Sequence, residues 1–146
     1  MEPSSKSSGA VRTFTIEEAN ELLPFITESL NKAFVLNERI KSLTNDIENL
    51  VSIWGKDVLE RGHIDNAYYF SKVTERESVY QGMINLVNGI QANGCIVKDI
   101  ETGLVDFYFS NNGELAFLCW KYGEQRIKHW HPVDEGFKTR RPIRNF

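Results

Sequence analysis

Cysteine and long apolar runs are scarce in this sequence, and each scarcity excludes a class of protein. The 146 residues include two cysteines, Cys95 and Cys119, too few for the disulfide scaffold of a small secreted domain. Met1–Thr13 lacks the apolar segment of a secretory signal, so both cysteines are predicted to be free thiols. No apolar run approaches the ~20 residues that span a bilayer. We therefore expect a cytoplasmic protein with no membrane partner.

The composition is that of an ordinary globular protein, with 41% hydrophobic and 25% charged residues. The net charge of −3 is unevenly distributed. Residues 115–146 carry seven Lys and Arg against three acidic residues, which gives +4, and residues 1–114 carry ten against seventeen, which gives −7. The acidic total, without a known nucleic-acid-binding motif, predicts that nucleic acid is not a partner.

The order of patterns along the chain predicts one domain after a disordered start. Residues 1–13 are rich in serine and poor in apolar side chains, so they are expected to be disordered. Residues 14–146 are predicted to form a single α+β domain. Its parts are a helical hairpin over 15–93, a strand region over 94–137 and a basic tail over 138–146.

The spacing of apolar residues indicates a long antiparallel, coiled-coil-like helical hairpin. Thr15 and Glu18 have the spacing of a capping box, and Pro24 predicts a break near Leu23. Helices are then expected from Pro24 to Trp54 and from about Asp65 to Asn93. Both carry apolar residues at alternating steps of three and four. In the first of these helices the seam consists of Ala33, Leu36, Ile40, Leu43, Ile47, Leu50 and Trp54.

Further apolar side chains lie off these seams, among them Phe34, Val35, Val51 and Ile53. A two-helix hairpin cannot bury residues on several of its faces. We therefore expect the chain to self-associate through its helices. A homodimer is the simplest result, and another protein is the alternative partner.

From Cys95 onward the apolar period changes to two, which predicts a small antiparallel β-meander. Glycines at 103, 113 and 123 supply the turns. In the second strand Asp106 interrupts an apolar run and lies on the face opposite Val105 and Phe107. Four strands are predicted, over Cys95–Lys98, Leu104–Phe109, Leu115–Trp120 and Ile127–His131.

Two histidines and a carboxylate could form a metal site at the end of the last predicted strand. His129 and His131 are two residues apart, so on a strand their imidazoles point the same way. With a carboxylate from Glu135, Asp134 or Asp106, this pair could bind a divalent metal such as zinc. The alternative is an exposed histidine pair beside a packed Trp130, with no cofactor.

Asp106 is the most distinctive acid–base candidate. A carboxylate in an apolar strand must be paired, hydrogen-bonded or partly solvated, and we expect a basic partner such as Arg126 or Lys128. Cys119, in an apolar strand, is interpreted as inert packing.

Several separated motifs resemble one known family. They are Phe14–Pro24, Gly94–Phe107, Cys119-Trp120, Gly123-Glu124, Trp130-His131 and Asp134–Phe137. In this order they are similar to the small prokaryotic family catalogued as domain of unknown function 2203 (DUF2203), over about residues 14–143. The resemblance implies no established activity. The family's pattern has Trp-His at 130 and 131 without a histidine at 129, which draws attention to Asp106, Glu124 and His131.

The predicted function is a non-enzymatic, self-associating interaction module. The alternative is a small metal-dependent or acid–base enzyme that uses His131 and neighbouring carboxylates. The candidate ligand-binding residues are Asp106, Trp120, Glu124, Trp130 and His131. A carboxylate from Asp134 or Glu135 is expected beside His131.

Overall fold

The computed structural model describes residues 11–144, and its architecture is α+β, as predicted. Two helices packed against each other precede a five-stranded antiparallel sheet whose strands follow chain order. No helix in this described part combines the length and apolarity needed to cross a bilayer. The elements are α1 (Ile16–Trp54), α2 (Asn66–Gln91), β1 (Ile96–Asp99), β2 (Leu104–Asn111), β3 (Glu114–Lys121), β4 (His129–Pro132) and β5 (Arg141–Pro142).

Helix α1 starts at the predicted capping box. The Thr15 N–H donates to Glu18 Oε1 at 2.8 Å, and the Glu18 N–H donates to Thr15 Oγ1 at 3.1 Å. These reciprocal bonds satisfy two amides that have no partner within the helix. The predicted starting point is therefore confirmed.

The predicted break at Pro24 is wrong, because α1 continues through it to Trp54. Pro24 is exposed, while Ala19, Leu23, Ile26 and Leu30 on either side of it are buried on one face. A proline inside a helix costs about 3 kcal/mol. Burial of the apolar face on both sides outweighs that cost, since each fully buried aliphatic side chain contributes about 1.5–3 kcal/mol.

The chain divides into two compact units, residues 31–87 and residues 11–30 with 88–144. In the first unit, the pairs Arg39–Glu75 at 2.6 Å and Asp46–Lys72 at 3.3 Å join α1 to α2. The residue number in α2 decreases from one pair to the next while the residue number in α1 increases, so the helices are antiparallel, as predicted. The Trp54 indole N–H donates to Asp65 Oδ2 at 2.8 Å across the connection, which includes a 3₁₀ turn over Gly55–Leu59.

In the second unit one face of the meander is buried against the start of α1. The Phe14 and Phe107 rings pack edge to face, with their centroids 5.3 Å apart. The Phe14 N–H donates a hydrogen bond to the Tyr108 carbonyl at 2.7 Å. The Ile127 N–H donates to Asn20 Oδ1 at 2.8 Å. Val105, Phe107, Leu118 and Trp120, which alternate along β2 and β3, are buried on this face.

The predicted basic tail contains a fifth strand that the sequence pattern did not indicate. Arg141 pairs with Trp130 and Pro142 with His129, which adds β5 to β4. A strand of two residues is too short to show an alternating apolar pattern. Its proline has no N–H to donate to the neighbouring strand. The predicted disordered start lies outside the described residues over 1–10. Within 11–13, Arg12 Nη1 donates to the Asn93 carbonyl at 2.8 Å.

Candidate functional site

The second face of the sheet brings together a carboxylate, a thiol and an imidazole. Asp106 on β2 pairs in register with Cys119 on β3, and His131 on β4 pairs with Phe117, two residues from Cys119 and on the same face of the sheet. One ligand atom from each of these residues lies within 4.8 Å of the others. All three side chains are buried, with at most 2% of each residue exposed. We call this group the Asp–Cys–His cluster.

The hydrogen bonds of His131 fix the position of one of its protons. Its Nδ1 lies 2.8 Å from the Pro132 carbonyl oxygen. Because a carbonyl only accepts, Nδ1 must carry a hydrogen and donate it. Its Nε2 lies 3.0 Å from Asp106 Oδ2. A neutral His131 therefore presents the Nε2 lone pair to this carboxyl group, and a further proton would be shared between the two atoms.

Burial controls the electrostatics of the other two members. Burial raises the pKa of Asp106 above its usual value, while His131, Cys119 and Lys98 oppose that rise. Burial also raises the pKa of the Cys119 thiol to about 12, and the charge of Asp106 and a hydrogen bond to it add to this effect. The neighbouring Arg140 acts in the opposite direction but does not cancel the rise, so at neutral pH the thiol is protonated when no metal ion is bound.

The segment between β4 and β5 covers the cluster and leaves a small cavity over it. The cavity has a volume of about 120 Å³. Asp106 and Cys119 reach its surface, whereas Glu135 and Gly136 are exposed where it meets solvent. Its lining is completed by Lys98, Leu104 and Phe137.

Asp106 has a partner of a different kind from the one predicted. The expectation of Arg126 or Lys128 was wrong, since both are exposed and the contact is made by His131. His131 does pair with a carboxylate, but that carboxylate belongs to Asp106 and not to Asp134 or Glu135. The pairing joins β2 and β4 across β3, which the order of residues in the sequence does not reveal.

Of the predicted metal ligands His129, His131 and Glu135, only His131 belongs to the cluster. Glu135 lines the adjoining cavity and pairs with Arg141 at 3.2 Å. His129 lies opposite Cys119 in register, and its Nδ1 is buried without a hydrogen-bond partner in the described structure. Burial and the neighbouring Arg140 lower the pKa of His129.

The remaining predicted site residues stabilise the surroundings of the cluster. The Trp120 indole donates to the Glu124 carbonyl at 2.9 Å. The Glu124 carboxylate accepts from both terminal nitrogens of Arg140, at 3.1 and 2.5 Å. Although burial acts in the opposite direction, these bonds lower the pKa of Glu124. The Arg141 guanidinium stacks over Trp130, 5.1 Å from its ring centre.

Sequence reasoning missed Cys119, Lys98 and Phe137. One feature of the sequence could have indicated Cys119. It alternates with Phe117, so both side chains lie on one face of their strand, and that strand is adjacent to the strand of Asp106. Lys98 lies where the register between β1 and β2 shifts, and such a bulge redirects a side chain in a way that residue spacing does not predict.

One family comparison identifies the chain. The family described as "Uncharacterized conserved protein (DUF2203)" matches residues 12–143. The chain belongs to DUF2203. This membership confirms the resemblance inferred from the motifs, and the family description names no activity. No curated protein and no solved structure matches this DUF2203 chain.

Proposed function

We propose that this DUF2203 protein binds a divalent transition metal, with zinc the best match, through Asp106, Cys119 and His131. The observation that carries the proposal is the convergence of three buried ligand atoms from three strands within 4.8 Å. Carboxylate, thiolate and imidazole are all ligands of zinc. Tetrahedral zinc with bonds of ~2.0–2.3 Å separates its ligand atoms by about 3.3–3.8 Å. Small shifts would therefore accommodate the ion: the distance of 3.0 Å between His131 Nε2 and Asp106 Oδ2 would lengthen, and any separation near the upper limit of 4.8 Å would shorten.

The hydrogen bond from His131 Nδ1 to the Pro132 carbonyl supports the proposal. Histidines that bind a metal commonly donate their other ring N–H to a carbonyl or carboxylate, which fixes the tautomer and the ring orientation. Here that bond leaves the Nε2 lone pair directed at the cluster. The same nitrogen is the one that lies 3.0 Å from Asp106.

The energetics of the cluster also favour a cation. A buried carboxylate and a buried thiol with raised pKa values are costly to ionise in the absence of a positive charge. A divalent ion would remove that cost by replacing the proton on Cys119 and any proton shared between Asp106 and His131. A reducing, cytoplasmic location is part of this proposal, because oxidation of Cys119 would remove a ligand.

Metal binding is tested with untagged protein that has been treated with a chelator and dialysed. Titration with zinc in a calorimeter should give one ion per chain, and elemental analysis should confirm that ratio. Cys119→Ser and His131→Asn should each weaken binding by at least tenfold. The matched control is Cys95→Ser, since Cys95 is the other buried thiol and lies outside the cluster. Equal zinc binding by Cys119→Ser and Cys95→Ser would contradict the proposal.

We further propose that the chain forms a homodimer through its helical unit. Seven large apolar side chains at the end of the hairpin are more than 40% exposed. We call them the apolar tip: Val51, Ile53, Trp54, Leu59, Ile64, Tyr68 and Phe70. These residues all lie within Val51–Phe70, and clustered exposed apolar side chains commonly mark an interaction site.

A second copy of the chain suits the apolar tip because the nearby charges are mixed. Lys56 and Arg61 lie among Asp57, Glu60 and Asp65 in the same segment. A two-fold interface places each patch against itself, so this mixture allows opposite charges to meet. The mass of the protein in solution tests this second candidate.

A further inference from the structure

We propose that the metal in the Asp–Cys–His cluster keeps one coordination position open toward the adjoining cavity and binds a small monovalent anion there. This inference rests on the proposed metal binding and deepens it. It assigns a ligand class to the cavity.

The number of donors in the cluster indicates an open coordination position. Within residues 11–144 the cluster contains three His, Cys, Asp or Glu ligands and no fourth. Structural zinc sites are usually closed by four protein ligands, whereas sites that bind exogenous molecules use three and leave a position for water or another ligand. The cluster therefore has the donor number of an open site.

The cavity provides space beside the open position. Asp106 and Cys119 both line the cavity of about 120 Å³. Since a water molecule occupies roughly 30 Å³ in the liquid, this volume suits a few waters or a small anion. Phe137 forms an apolar wall of the cavity, which lowers the local dielectric and strengthens electrostatic attraction.

The charge around the site favours an anion. With Asp106 and Cys119 ionised and His131 neutral, the three ligands contribute −2, which cancels a divalent ion. Glu135, at the cavity wall, is paired with Arg141, and Arg140, which acts electrostatically on Cys119, is paired with Glu124. Lys98 also lines the cavity, and it is close enough to Asp106 to influence that carboxyl group electrostatically. The loaded site is therefore positive by about one unit, so an anion is the fourth ligand that it favours.

The inference is tested on the full-length protein loaded with cobalt(II), whose visible spectrum reports the number and type of ligands. Binding should produce a thiolate-to-cobalt band that is absent in Cys119→Ser. Sodium azide should then shift the visible bands in a saturable way. Lys98→Gln should weaken azide binding by about tenfold, as expected for the loss of one nearby charge. The matched control is Lys138→Gln, since Lys138 is exposed and lies outside the cavity lining.

The outcomes separate the two proposals. Failure to bind cobalt, or a thiolate band that persists in Cys119→Ser, would overturn the proposed metal site itself. Normal cobalt binding with a spectrum that azide does not change would overturn only the open position. If Glu135→Gln then gained the azide response, Glu135 would be the ligand that closes the site, which also contradicts the inference. A saturable shift weakened specifically by Lys98→Gln supports it.

Discussion

At the scale of single residues, Asp106 is a buried carboxyl group that interacts with both other members of the cluster. Its carboxyl group contacts His131 at 3.0 Å and influences the thiol of Cys119. All three side chains are removed from water. A polar group in this position is tolerated because its neighbours satisfy it, so its removal affects more than one side chain.

Replacing Asp106 with alanine should destabilise the metal-free protein by about 1–3 kcal/mol. The substitution leaves His131 Nε2 and the Cys119 thiol buried without that partner, and an orphaned buried polar group costs this much. Urea unfolding in the presence of a chelator measures the change. Asp134→Ala, at an exposed carboxylate, should unfold with the wild type. An Asp106→Ala variant as stable as the wild type would show that the cluster does not depend on this carboxyl group.

The pair of Glu124 and Arg140 predicts a pH dependence of stability. The pKa of Glu124 is lowered in the folded protein, so its contribution is present above the unfolded pKa, near 4.5. It is lost as the pH falls through the folded pKa. At pH 7, Glu124→Gln should lower the free energy of unfolding by about 1 kcal/mol, and the difference should disappear in acid.

Unfolding curves for the wild type and Glu124→Gln, collected between pH 7 and pH 2, measure this difference. The control is Glu75→Gln, because the Arg39–Glu75 pair is over 40% exposed on both sides and such pairs contribute little. A difference for Glu124→Gln that stays constant across the pH range would contradict the role of its charge.

At the scale of elements, the regular features follow from local patterns. The capping box, the three–four spacing of the helices and the period of two in the strands each reflect contacts between residues close in sequence. They predicted both helices of the hairpin and four strands of the meander. Pro24 and β5 were not predictable in this way, since continuity through Pro24 depends on long-range burial and β5 depends on pairing with β4.

Replacing Pro24 with alanine should stabilise the protein by about 1–3 kcal/mol. Alanine restores an N–H that can donate to the Asn20 carbonyl and removes the clash of the proline ring with the preceding turn. The exposed position of Pro24 means that no core packing is lost. Thermal unfolding should show a higher melting temperature, whereas Ser42→Ala, at an exposed position of the same helix, should change it little. A lower melting temperature for Pro24→Ala would show that the proline is required.

At the scale of the whole molecule, the candidate site depends on information that local patterns lack. Asp106 was predicted beside His131 only as one of three alternative carboxylates for a metal site at His129 and His131, and Cys119 was interpreted as packing. Their association depends on the register of three strands and on the approach of His131 across β3. The resemblance to DUF2203 directed attention to Asp106 and His131, but it did not indicate that they touch.

Self-association through the apolar tip is the prediction at this scale. Light scattering at micromolar concentration should give twice the chain mass of 16.8 kDa. The double substitution Ile53→Lys with Ile64→Lys places charges at two strongly exposed positions, 70% and 84%, and should yield the monomer. Leu115→Lys, an exposed leucine in the other unit, is the control and should remain dimeric. A wild-type mass of 16.8 kDa would contradict the proposal.

The two buried thiols can also be used to measure local opening of the protein, through the rates at which they are alkylated. Burial raises the pKa of Cys95 to about 11 and that of Cys119 to about 12, so in the folded, metal-free protein neither offers a thiolate to an alkylating reagent. Each becomes reactive only when its surroundings open. Because Cys95 follows α2 and Cys119 lies inside β3, the two alkylation rates would measure local opening at the junction between helix and sheet separately from opening at the centre of the sheet.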